Sequence, residues 1–79
     1  MIERKTFPLE RGCEVAVTTE RMNDGTWAVV ASITERSERS EKVTDLPVPQ
    51  QRFASQAEAE DYGRRLGAEW VDRNAPRAA

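Results

Sequence analysis

The chain contains no histidine and a single cysteine, Cys13. Without histidine it lacks the side chain that most often serves as a general base near neutral pH, and the commonest ligand for transition metals. One cysteine excludes a disulfide within the chain. Aromatic residues are also few: two Trp, two Phe and one Tyr among 79 residues. No apolar run approaches the roughly 18 residues of a membrane-spanning helix. The opening "MIERKTFPLE" lacks the apolar stretch of a secretory signal, so the expected location is the cytoplasm, with no membrane partner. Neither charge sign dominates: 12 basic residues face 14 acidic ones, net −2. Such a balance gives no general attraction to nucleic acid or to an anionic bilayer.

The length fits a single domain over 1–79, with a core of about 6–74 and loose ends at 1–5 and 75–79. A chain this short buries only about 60% of the surface its unfolded form exposes, which leaves little room for a deep pocket.

What is present is alternation. "CEVAVTTER" puts Cys13, Val15, Val17 and Thr19 on one side, and "TWAVVASITER" does the same with Trp27, Val29, Ala31 and Ile33. Period two over this length predicts two half-buried strands. Directly opposed residues in an antiparallel pair share a face. A two-residue Asp24-Gly25 loop would put Val15 and Val17 on the opposite face from Trp27, Val29 and Ile33. A three-residue Asn23-Asp24-Gly25 loop opposes Thr19 to Val29, Val17 to Ala31 and Val15 to Ile33. All the large apolar groups then share one face, so register favours a type I turn followed by Gly25 in the left-handed region.

Phe7 and Leu9 flank Pro8, which has no N–H to give a ladder. Residues 6–10 are therefore a candidate for a fourth, edge strand. The repeated "TERSERSEK" reads as a solvated strand end and turn. "EKVTDLP" predicts a third strand with Val43 as its inward residue, and "PVPQQ" a loop.

"FASQAEAEDYGRRLGAEWVDRN" predicts a helix over 55–74. Ser55 and Glu58 have the spacing of a capping box, and Glu58, Glu60 and Asp61 suit the positive end of the helix dipole. Ala59, Tyr62, Leu66 and Trp70 form one stripe, expected to cover the Val15, Val17, Trp27, Val29, Ile33 face of the sheet. Gly63 and Gly67 sit beside that stripe. Each costs about 1 kcal/mol of helix propensity against Ala, a cost that close approach to the sheet would offset.

Candidate chemistry is thin. Cys13 has no histidine to activate it, and its strand phase points it inward, as a buried thiol. The carboxylates sit in polar surroundings or at the helix start. "NDG" lacks the further oxygens of a calcium loop. No catalytic, cofactor-binding or metal-ligating residue is assigned, and no cofactor is expected.

The sheet face away from the helix carries Ala16, Thr18, Ala28, Val30, Ser32 and Thr34, a flat and weakly apolar set. Such surfaces pair face to face or edge to edge, and a small sheet with one helix gains stability by association. A symmetric homodimer is the commonest solution. The same face could meet nucleic acid with Arg36, Arg39 and Lys42 at the adjoining turn. It lacks stacking aromatics, though, and Glu35, Glu38 and Glu41 accompany those cations.

"DGTW" after a strand, followed by Phe53, Ser55, Ala57, Trp70, Val71 and Asp72 in the terminal helix segment, resembles small bacterial domains of unknown function built as a β-meander plus one C-terminal helix. The resemblance implies a two-layer α+β fold and brings no activity. The expected fold is thus α+β, an antiparallel sheet of three strands, or four if 6–10 pair, with one helix on one face (β-β-β-α). The expected function is a non-enzymatic interaction or accessory module, self-associating or binding another protein. Weak nucleic-acid binding is the alternative.

Overall fold

The computed structural model describes residues 2–48 and 51–74. Four strands run in sequence order as an antiparallel meander: β1 (Ile2–Pro8), β2 (Cys13–Arg21), β3 (Trp27–Arg36) and β4 (Glu41–Asp45). One helix, α1 (Gln56–Asn74), follows and packs across β2 and β3. The fold is α+β, an open sheet with a C-terminal helix on one face.

The β2–β3 register is the one the three-residue loop requires. Val15 opposes Ile33, Val17 opposes Ala31 and Thr19 opposes Val29. Met22 N–H donates to the Thr26 carbonyl at 2.8 Å, and Gly25 N–H donates back to Met22 at 3.0 Å. Gly25 has φ +86°, the left-handed conformation that ends such a loop. The Asp24 carboxylate accepts from the Thr26 hydroxyl (2.6 Å) and N–H (3.0 Å), which closes the turn and holds its acid below the ordinary range.

β1 corrects the expectation of a loose start. Residues 2–5 are its first half, and it pairs with β2 along its whole length, from Ile2 opposite Glu20 to Pro8 opposite Glu14. Its helix-side residues include Glu3 and Lys5, so the apolar alternation that marks a strand is missing. Lys5 instead pairs with Glu60 of α1 at 3.1 Å and with Glu3 at 3.2 Å, and both contacts raise its pKa. Leu9 N–H donates to Cys13 at 2.8 Å, so the odd residues of β1 face β2 and the even ones face outward. Pro8 therefore stands where no ladder N–H is needed. Arg11, in the β1–β2 turn, has φ +59°, and its guanidinium donates to the Val71 carbonyl at 3.3 Å, satisfying a group at the end of α1.

Val43 is a second correction. The β3–β4 hairpin turns on Glu38-Arg39, closed by Ser37 N–H donating to the Ser40 carbonyl at 2.9 Å. Thr34 then opposes Val43 and Ile33 opposes Thr44. Thr44 points to the helix side, while Val43 is on the other.

The helix begins as expected. Ser55 Oγ accepts from Glu58 N–H at 3.2 Å, and the Glu58 carboxylate accepts from Ala54 N–H at 3.3 Å. Its buried line, however, is Ala59, Gly63, Gly67 and Val71, one position round from the expected stripe. Tyr62, Leu66 and Trp70 flank this line, half-buried against the core with Trp27, Phe53 and Phe7. The glycines are the seam. A β carbon on Gly63 would lie 2.7 Å from Val17 Cγ1. Helix backbone lies directly on valine, so the large side chains wrap the seam from its sides. Phe53 also bridges to Trp27 through both backbone hydrogen bonds (2.8 and 2.9 Å), fastening the segment before α1 to the start of β3. Buried Thr19 is satisfied in place: its hydroxyl accepts from the Gln56 amide at 3.2 Å and donates to the Glu3 carbonyl at 3.5 Å.

Candidate interaction face

Because side chains alternate along each strand, fixing the helix side fixes the other side. Ala16, Thr18, Ala28, Val30, Ser32 and Thr34 are brought together on the helix-free face. Ala16 opposes Ser32 and Thr18 opposes Val30 at its centre. Their exposure differs. Ala16 and Thr34 are buried between neighbouring strands, Thr18, Ala28 and Ser32 are half-buried, and Val30 is 60% exposed.

Two apolar residues that the sequence did not assign join this face. Ile2 lies opposite Glu20 at one corner, and Val43 lies opposite Thr34 at another. Their exposures are 65% and 57%, so the three exposed large hydrophobic side chains among the described residues, Ile2, Val30 and Val43, all belong to one face. Knowing both hairpin loop lengths would have placed Ile2 and Val43 by parity. The turn at Arg11-Gly12 and the charged turn at Glu38-Arg39 carry no strong signal for loop length.

The surface is shallow. One open groove of about 380 Å³ runs between Ala16, Thr18, Val30, Ser32 and Asp45. A smaller one, about 80 Å³, lies between Ile2, Thr18, Ala28 and Val30. Arg4, opposite Thr18, and Asp45, opposite Ser32, place a cation and an anion at the two lateral edges. Both are exposed, and neither makes an ion pair among the described residues.

The cations of the nucleic-acid alternative are not brought together. Arg36 is on the helix-free side, held by Glu14 at 2.7 Å and Glu41 at 3.2 Å. Lys42 opposes Glu35 on the helix side, and Arg39 is at the hairpin tip beside Glu38. Two neutralised or opposed cations and one at a tip form no continuous basic track.

Other chemistry has little to work with. Cys13 is buried in the core, and burial, reinforced by Glu35, pushes its thiol pKa up despite Arg11. It is therefore held as the thiol, the poor nucleophile. A wider open groove of about 570 Å³, between the β1 end and α1, is lined by Pro8, Leu9, Ala68 and Val71 with Glu10, Glu69 and Asp72. Among the described residues no group of three or more His, Cys, Asp or Glu side chains is placed to hold a metal ion, and no helix is long and apolar enough to cross a membrane. Compared with family models, with curated proteins and with solved structures, the chain gives no match.

Proposed function

We propose that this protein is a non-enzymatic interaction module that works through the helix-free face of its sheet. The observation that carries this reading is the flat, weakly apolar centre of the face that α1 leaves uncovered, where Val30, 60% exposed, stands beside Thr18 and is flanked by Ala16, Ala28 and Ser32. Apolar side chains scattered singly over a surface need no explanation, but a continuous run of small and aliphatic groups at the centre of a flat face marks a place for a partner.

The sheet edges are the competing surface, and their composition disfavours them. β1 presents Glu3, Arg4 and Lys5 in succession and ends in Pro8, while β4 carries Glu41, Lys42 and Asp45. Charges and proline on an edge are the usual means of blocking strand addition. The face has no such protection at its centre.

Site-specific photo-crosslinking in cells tests the reading. A crosslinker in place of Val30 should give discrete adducts, while one in place of exposed Ala68 on α1 should give none. Equal labelling from both positions, or no adduct from Val30, overturns it.

A further inference from the structure

We infer that Asp24–Gly25 is a site of spontaneous covalent modification, the formation of isoaspartate, which the Thr26 hydroxyl holds closed in the folded chain.

The reaction needs only water. The Gly25 amide nitrogen gives its proton to solvent and attacks Cγ of Asp24. A C–N bond forms, a C–O bond breaks, and one water leaves, which closes a succinimide ring. Water then opens the ring at either carbonyl. One opening restores aspartate. The other leaves isoaspartate, in which the main chain runs through the side-chain methylene, and the mass of the chain is unchanged. A side chain on the following residue hinders the attack, and glycine has none. Asp24 is the one Asp or Asn in the sequence that precedes glycine. Both residues are exposed at the tip of the β2–β3 loop, so water reaches them.

Three hydrogen bonds oppose ring closure. Asp24 Oδ1 accepts from the Thr26 hydroxyl at 2.6 Å and from the Thr26 N–H at 3.0 Å. These contacts turn the carboxylate toward residue 26 and keep it ionised, the form that resists a nucleophile. The third bond is the one from Gly25 N–H to the Met22 carbonyl at 3.0 Å, which engages the proton that the attacking nitrogen must lose. Closure therefore requires Asp24 to swing away from Thr26 and Gly25 to leave Met22. The hydroxyl contact is the shortest of the three and is charge-assisted, so it is the main restraint.

The product alters the part of the chain that sets the sheet. Isoaspartate adds a backbone carbon to a loop whose length fixes which residues of β2 and β3 oppose each other. The lengthened loop no longer matches the turn closed between Met22 and Thr26.

Incubation at neutral pH, with isoaspartate counted by enzymatic methylation and located by peptide mapping, tests this. Circular dichroism confirms that each variant is folded during the incubation. Wild type in urea should form isoaspartate at residue 24 at least roughly tenfold faster than native wild type. Folded Thr26→Val should also form it roughly tenfold faster, whereas Thr26→Ser, which keeps the hydroxyl, should stay within about twofold of wild type. Ser55→Ala loosens the fold at the helix start and leaves the turn intact, so its rate should match wild type. Equal rates in native and urea-unfolded wild type overturn the inference, as does a Thr26→Val rate equal to wild type. Ser55→Ala reacting as fast as Thr26→Val would make global unfolding the gate and remove the role of Thr26. Isoaspartate found at another position and not at residue 24 would overturn the site itself.

Discussion

Gly67 stands so close to Val15 that a β carbon on the glycine would lie 2.7 Å from the valine's own β carbon. Real β carbons do not approach a neighbour that closely, so the contact requires glycine. One turn earlier Gly63 repeats it on Val17, and the two contacts set how near α1 lies to the sheet. By committing the helix to the Val15–Val17 side, they leave Ile2, Val30 and Val43 uncovered on the other.

Gly67→Ala and Gly63→Ala should each destabilise the fold by about 1–3 kcal/mol in urea unfolding, since overpacking outweighs the roughly 1 kcal/mol of helix propensity gained. The two sites should respond differently to relief. At Gly63 the obstructing atoms are Val17 Cγ1 and Cγ2 and Val29 Cγ2, so Val17→Ala removes the worst clash. At Gly67 the Val15 β carbon itself obstructs, and Val15→Ala leaves it in place. Double-mutant cycles should give a favourable coupling of about 0.5–3 kcal/mol for Gly63/Val17 and a smaller one for Gly67/Val15.

Gly25→Ala should cost about 1–2 kcal/mol for a different reason. Nothing lies within 4 Å of a β carbon there, and the φ of +86° alone opposes it. Gly25→Asn should cost less, because asparagine tolerates the left-handed region. Thermal unfolding of the two variants checks the order.

Ser55→Ala should cost about 1 kcal/mol by removing the acceptor for Glu58 N–H, and Ser55→Asp should be close to neutral. Equal melting temperatures for wild type and Ser55→Ala would contradict the cap.

Cys13 has a pKa raised in the folded chain, chiefly by burial. The native state thus holds its proton to higher pH than the unfolded state does. The stability this contributes is fully present below the unfolded thiol pKa and is lost as pH rises through the folded one. Urea midpoints should therefore fall on the alkaline side, and fall less steeply in Cys13→Ala. A disulfide-exchange reagent should label native Cys13 far more slowly than the unfolded chain.

The parts legible in the sequence were those where one choice changed the side of many residues. The β2–β3 loop length was decided by whether Val15 and Val17 joined Ile33 and Val29, and the helix start by Ser55 and Glu58. β1 was only half legible because its helix side carries Glu3 and Lys5, whose partner Glu60 is 55 positions from Lys5 in the chain. The side of Val43 is not legible because "SERS" gives no loop length, and one residue of slip reverses a strand's faces. Hydrophobic periodicity weighs large residues and so points to Tyr62, Leu66 and Trp70 as the helix stripe. Backbone contact weighs the small ones, and Gly63 and Gly67 took the centre. The free face was legible in Ala16 through Thr34, but its charged edges, Arg4 and Asp45, required the outer strands.

The most direct measurement is a set of methyl spectra on isotopically labelled protein with a soluble paramagnetic agent added. Methyls of Val30 and Val43 should broaden, while those of Val15, Val17 and Ile33 stay sharp. Equal broadening of the two sets, or broadening centred on the second, would contradict a face left uncovered opposite the helix.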